Sequence, residues 1–100
     1  MQNLQMPWIS FNKNFAPIEA PRGSNLMKDL LEQGVPVASS CGGEGVCAKC
    51  RVEVLKGREN LSAQNQTEKD LREIHQLAAN ERISCQALLE GDVHLDTGYW

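Results

Sequence analysis

Residues 39–50 read SSCGGEGVCAKC, and three of the four cysteines in a 100-residue chain fall inside them. The fourth, Cys85, stands far downstream in RISCQ (82–86). Three thiols and three glycines in so short a stretch predict a loop that wraps something. Gly42, Gly43 and Gly45 lie between the first two cysteines, where the absence of a Cβ allows positive φ angles and close backbone approach. Backbone amides in such a loop can converge on one negatively charged object. Ser39 and Ser40 add two hydroxyl donors at its entrance.

The spacing is C-x5-C-x2-C at Cys41, Cys47 and Cys50, and Cys85 follows after 34 further residues. Four thiolates complete the coordination of two tetrahedral irons bridged by two sulfides. A zinc site competes for the same donors, but structural zinc is commonly built from two close pairs. Only Cys47 and Cys50 form such a pair here. A thioredoxin-like role for Cys47-Ala48-Lys49-Cys50 requires a helix after the motif, whereas the residues that follow read as a strand. Two disulfides require an oxidising compartment, and the N-terminal MQNLQMPWISFNKN lacks the charged region and apolar run of a signal peptide. A cytoplasmic location is therefore expected.

Working outward from the loop, CRVEVLKG (50–57) alternates Val52 and Val54 with Arg51 and Glu53, a strand closed by Gly57. Upstream, two short strands are expected at Trp8–Lys13 and Phe15–Ala20, turning at Asn14, with Pro17 placing the second at an edge. NLMKDLLEQ (25–33) sets Leu26, Met27, Leu30 and Leu31 on one helical face, with Ser24 as N-cap and Gly34 and Pro36 as the stop. Downstream, Thr67-Glu-Lys-Asp70 resembles a capping box and opens a second helix with Leu71, Ile74 and Ala78 inward. RISCQALLEG then alternates Ile83, Cys85, Ala87 and Leu89, and DVHLD alternates Val93 and Leu95, giving two last strands. The order is strand, strand, helix, loop, strand, helix, strand, strand, an α+β arrangement with a small mixed sheet.

One hundred residues predict a single domain, residues 1–100, with no room for an appended flavin or nicotinamide domain. A chain this short buries a modest core and gains from a metal centre. The composition, 41% hydrophobic and 23% charged, is that of a globular protein. A net charge of −3 and a pI near 5.3 argue against nucleic-acid binding, which calls for a basic stripe. No stretch approaches the roughly 18 apolar residues of a membrane span, so membrane insertion is not expected.

CGGEGVCAKCRVEVLKG and RISCQ together resemble the [2Fe–2S] ferredoxins of the plant and adrenodoxin β-grasp type, over essentially the whole chain. The first cysteine interval is one residue longer than the plant-type C-x4-C-x2-C. It is similar to that of adrenodoxin-like ferredoxins. The glycine-rich filling is similar to the ferredoxin domain of the sodium-translocating NADH:quinone reductase. The resemblance implies one [2Fe–2S] cluster held by Cys41, Cys47, Cys50 and Cys85, with Cys41 and Cys47 on the iron nearer the surface. It also implies a last cysteine at the start of a late strand. The implied function is that of a carrier moving one electron at a time between a reductase and an acceptor, with no substrate bond made or broken. The chain is thus expected to be no enzyme in itself.

A cluster-bearing redox sensor would share the loop, but no basic patch or DNA-binding helix pair accompanies it. A fixed component of a larger oxidoreductase would also share it, and the oligomeric state is left open. His75 and His94 read as surface residues, since a Rieske centre puts two histidines in place of two cysteines and four cysteines are present. Glu68, Asp70 and Glu73 resemble the acidic docking face of adrenodoxin-like members, although Lys69 and Arg72 interleave with them. Glu44, within the loop, is the stronger candidate for partner contact or for tuning the potential. Trp8, Tyr99 and Trp100 are candidates for core packing or for guiding electrons.

Overall fold

The computed structural model describes residues 6–38 and 49–100. Its elements are β1 (Trp8–Phe11), β2 (Ile18–Glu19), α1 (Leu26–Glu32), β3 (Arg51–Lys56), α2 (Gln66–Ile74), β4 (Glu81–Ile83) and β5 (Val93–Asp96). Short 3₁₀ turns lie at Arg58–Asn60 and Ser84–Gln86. The strands form one sheet in the order β2-β1-β5-β3-β4. β1 and β5 run parallel, and the other neighbours are antiparallel. This is the small mixed sheet of a β-grasp α+β fold.

Period-two alternation builds the buried face. Ile9 and Phe11 of β1, Val52 and Val54 of β3, and Val93 and Leu95 of β5 all point inward. Leu26 and Leu30 of α1 cover them, and both are fully buried. Side chains of this size each stabilise the fold by about 1.5–3 kcal/mol when removed from water. A register shift falls between Val54 and Lys56, and both Leu55 and Lys56 are exposed. Gly57 closes β3 at φ +86°, and a Cβ there would collide with the carbonyl oxygen of Asp92.

Several boundaries differ from the sequence expectation. β1 ends at Phe11, and β2 occupies only two residues of the expected 15–20. Phe15 instead turns inward, its ring edge-on to Phe11 at 5.6 Å and to Trp100 at 5.5 Å. The N-cap of α1 is Asn25, whose side chain accepts from Lys28 N–H. The Ser24 hydroxyl is turned instead toward Pro21 O at 2.6 Å and Asp29 Oδ2 at 2.5 Å. Likewise Asn65, not Thr67, caps α2.

The inward face of α2 also ends early. Leu71 is buried, but Ile74 is 70% exposed and Ala78 is exposed as well. The helix stops at His75, and Gln76 takes a left-handed φ of +52°. Gln76 N–H then bonds Glu73 O, and Leu77 N–H bonds Arg72 O, the double bonding of a Schellman stop. That reversal swings Leu77, not Ala78, against the apolar residues beneath the helix. The stretch RISCQALLEG is not one strand either. β4 ends at Ile83, and Cys85 sits in a 3₁₀ turn rather than at a strand start. Leu88 and Leu89 then make single bridges to Asn25 and Leu61. Among the described residues, no helix is long and apolar enough to cross a membrane.

Candidate metal centre

Cys50 stands immediately before β3, and Cys85 lies two residues after β4. Antiparallel pairing sets Arg51 opposite Ile83, so both cysteines arrive at the same end of the sheet. Ser84 fastens that end. Its N–H and its hydroxyl both donate to Cys50 O, at 3.3 and 2.7 Å. Cys50 and Cys85 are 1% and 8% exposed and share one apolar cluster with Met27, Leu71 and Ile83.

Polar side chains hold the Cys85 segment from two further directions. From α1, Asn25 Nδ2 donates to Cys85 O at 2.8 Å. From α2, Glu68 Oε2 accepts from Ile83 N–H at 3.0 Å. The same carboxylate receives Arg82 through Nε at 2.6 Å and Nη2 at 2.8 Å, a forked pair in which Glu68 is fully buried. A second Nη2 bond reaches Ser62 O. At the sulfur itself, Gln86 Nε2 lies 3.4 Å from Cys85 Sγ. On the other flank, Tyr99 Oη donates to Arg51 O at 3.1 Å, and desolvation raises its pKa above the ordinary phenol value. Trp100 Nε1 donates to Pro36 O, tying the C-terminal aromatic residues to the chain leading into the loop.

Cys41, Cys47, Gly42, Gly43, Gly45 and Glu44 lie outside the described residues, as do Ser39 and Ser40. Among the described residues, no three His, Cys, Asp or Glu side chains converge as a metal-binding set. The donors that are described fit an iron–sulfur group. Two soft sulfur donors sit in one apolar cluster, with an amide nitrogen 3.4 Å from one of them. His75 is exposed at the end of α2, and His94 Nδ1 lies 2.8 Å from Ser10 Oγ on the β1–β5 side. Neither joins the cysteine cluster. Glu68 is no docking residue, since it is buried in its pair with Arg82, while Asp70 and Glu73 are exposed. Sequence reasoning misses the Glu68–Arg82 pair and the Asn65–Gln86 contact. Their partners are 14 and 21 residues apart, and no local periodicity joins them.

Known proteins are similar to this chain in sequence and in fold. Residues 12–90 match the family described as the 2Fe-2S iron-sulfur cluster binding domain. The chain is 36% identical over 87 residues to 2Fe-2S ferredoxin-5 of Aquifex aeolicus, covering 86% of this chain and 91% of that one. It is 32% identical over 74 residues to one subunit of the Na(+)-translocating NADH-quinone reductase of Chlamydia felis. That match covers 74% of this chain and only 16% of the reductase polypeptide. Among solved structures, the ISC-like [2Fe-2S] ferredoxin of Pseudomonas putida superposes with a TM-score of 0.81 at 24% identity. The superposition covers 95% of this chain and 94% of that one, a likeness of fold.

Proposed function

The chain belongs to the 2Fe-2S iron-sulfur cluster binding domain family, and we propose that Cys41, Cys47, Cys50 and Cys85 are the ligands of its [2Fe–2S] cluster. The protein is a small electron carrier of the ferredoxin type. When bound, the cluster supplies the uptake and release of one electron at a time.

The burial of Cys50 and Cys85 in one apolar cluster carries the ligand assignment. They are the pair that the family pattern gives to the inner iron. Met27, Leu71 and Ile83 keep water from their sulfurs, and Ser84 and Asn25 fix the backbone on which the sulfurs stand. Gly42, Gly43 and Gly45 supply the amide cradle for the outer side. The chain works as one unit, residues 1–100, in the cytoplasm. It passes electrons from a reductase to an acceptor protein and catalyses no reaction of its own. Docking takes place near the loop that carries Glu44.

Cys85→Ser tests the ligand set. The variant is expected to lose most of its bound iron and to change the EPR spectrum of whatever remains. Full iron content with an unaltered spectrum would remove Cys85 from the set. A second reading, a module within a larger reductase, is favoured by the similarity to the Chlamydia felis reductase. The mass of the native complex isolated from the source cell separates it from a free carrier.

A further inference from the structure

Two side-chain amides span the space between the start of α2 and the sulfur of Cys85. Asn65 Oδ1 accepts from the backbone N–H of Glu68 at 2.8 Å, which caps the helix. A backbone N–H can only donate, so the Asn65 atom facing it is oxygen. Its Nδ2 is thereby turned to Gln86 Oε1, at 2.9 Å. Gln86 must then present Nε2 to Cys85 Sγ, at 3.4 Å. One main-chain group thus sets the orientation of both amides, a question that often stays open for Asn and Gln.

We propose that Gln86 donates a hydrogen bond to the Cys85 sulfur that raises the reduction potential of the protein, and that Asn65 is the positioning residue that keeps Gln86 in the donating orientation. The inference rests on Cys85 being a ligand. Reduction adds one electron, delivered by the donor protein or by dithionite in the test, and no proton or bond is exchanged with Gln86. The added negative charge falls partly on the ligand sulfurs, so a donor aimed at one of them favours the reduced state. Gln86 is half-buried and Cys85 is buried, which limits screening of this contact by water.

Potentiometric titration of the iron-loaded protein, followed by EPR, reads the effect. Gln86→Leu keeps the bulk and removes the donor, and its midpoint is expected to fall. Asn65→Ser keeps a capping oxygen for α2 and frees Gln86 to rotate, so its midpoint falls by less. Because Asn65 acts through Gln86, the double variant falls no further than Gln86→Leu alone. An unchanged midpoint in Gln86→Leu, or additive shifts in the double variant, overturns the proposal. If Gln86→Leu takes up no iron, Asn65→Ser decides, and a midpoint equal to that of the unsubstituted protein overturns it. Cys85→Ser separates the two layers of the argument. Loss of iron there with an unmoved midpoint in Gln86→Leu sinks only the present inference, whereas full iron content in Cys85→Ser sinks the ligand assignment itself.

Discussion

Beneath β1, β3 and β5 the packing is mostly hydrocarbon, with Ile9, Leu26, Leu30, Val52, Leu89 and Leu95 all fully buried. At the cysteine end of the sheet the apolar cluster is far smaller, comprising Met27, Cys50, Leu71, Ile83 and Cys85. What it lacks in area is made up by directional bonds from Asn25, Glu68, Arg82, Ser84 and Gln86. The difference follows from what each force can specify. Burial of apolar area is non-directional and tolerates repacking. A ligand sulfur must be held in one place, and hydrogen bonds with fixed partners do that.

Substitutions at the two ends should therefore fail in different ways. Glu68→Ala leaves Arg82 buried without its partner and takes the acceptor from Ile83 N–H, a loss of about 3–5 kcal/mol. Urea unfolding and an iron count should both fall, and intact iron loading would show that the pair does not serve the site. Leu95→Ala should cost about 2–5 kcal/mol through the cavity it leaves. Its EPR spectrum and midpoint should nevertheless match the unsubstituted protein wherever it stays folded. A shifted midpoint would erase the distinction between the two ends.

Smaller effects sharpen the same contrast. Gln76→Gly relieves a left-handed backbone and should raise the unfolding free energy by about 1 kcal/mol. A loss of stability in urea would mean that the Gln76 side chain contributes more than its backbone costs. Lys13–Asp96, at 2.6 Å on the surface, is the exposed counterpart of the buried pair. The Lys13 ammonium is the main cause holding Asp96 below the usual carboxylate pKa, with Thr97 N–H and Asn12 helping. Its stabilisation is therefore present above the ordinary aspartate pKa and is lost as pH falls through the lowered value. Lys13→Ala should cost no more than about 1 kcal/mol and flatten that acid-side decline in urea titrations. An unaltered pH dependence would contradict the assignment.

The hydrocarbon end is legible because Ile9 and Phe11, Val52 and Val54, and Val93 and Leu95 announce their face by alternation. Both helix stops use the same backbone motif, yet only Gly34, at φ +81°, advertises it. Gln76 does not, which is why the pattern points to Ala78 rather than Leu77 as the inward residue. The expected caps miss by one and two residues because Ser24, Asn25, Asn65 and Thr67 all have capping chemistry, and tertiary partners choose among them. At the site, the four cysteines and the glycines stand out by residue type and spacing. The bonds that aim Cys85 do not, since Glu68 and Arg82 look like ordinary surface charges until the fold buries them.

The central claim is that four cysteine sulfurs of this chain hold one [2Fe–2S] cluster. Iron and acid-labile sulfide should be counted on anaerobically prepared protein, together with an EPR spectrum after dithionite reduction. The account predicts two irons and two sulfides per chain and a spectrum of one unpaired electron, with Cys50→Ser and Cys85→Ser each losing most of the metal. Colourless protein without labile sulfide, or serine variants that keep their full iron, would contradict it.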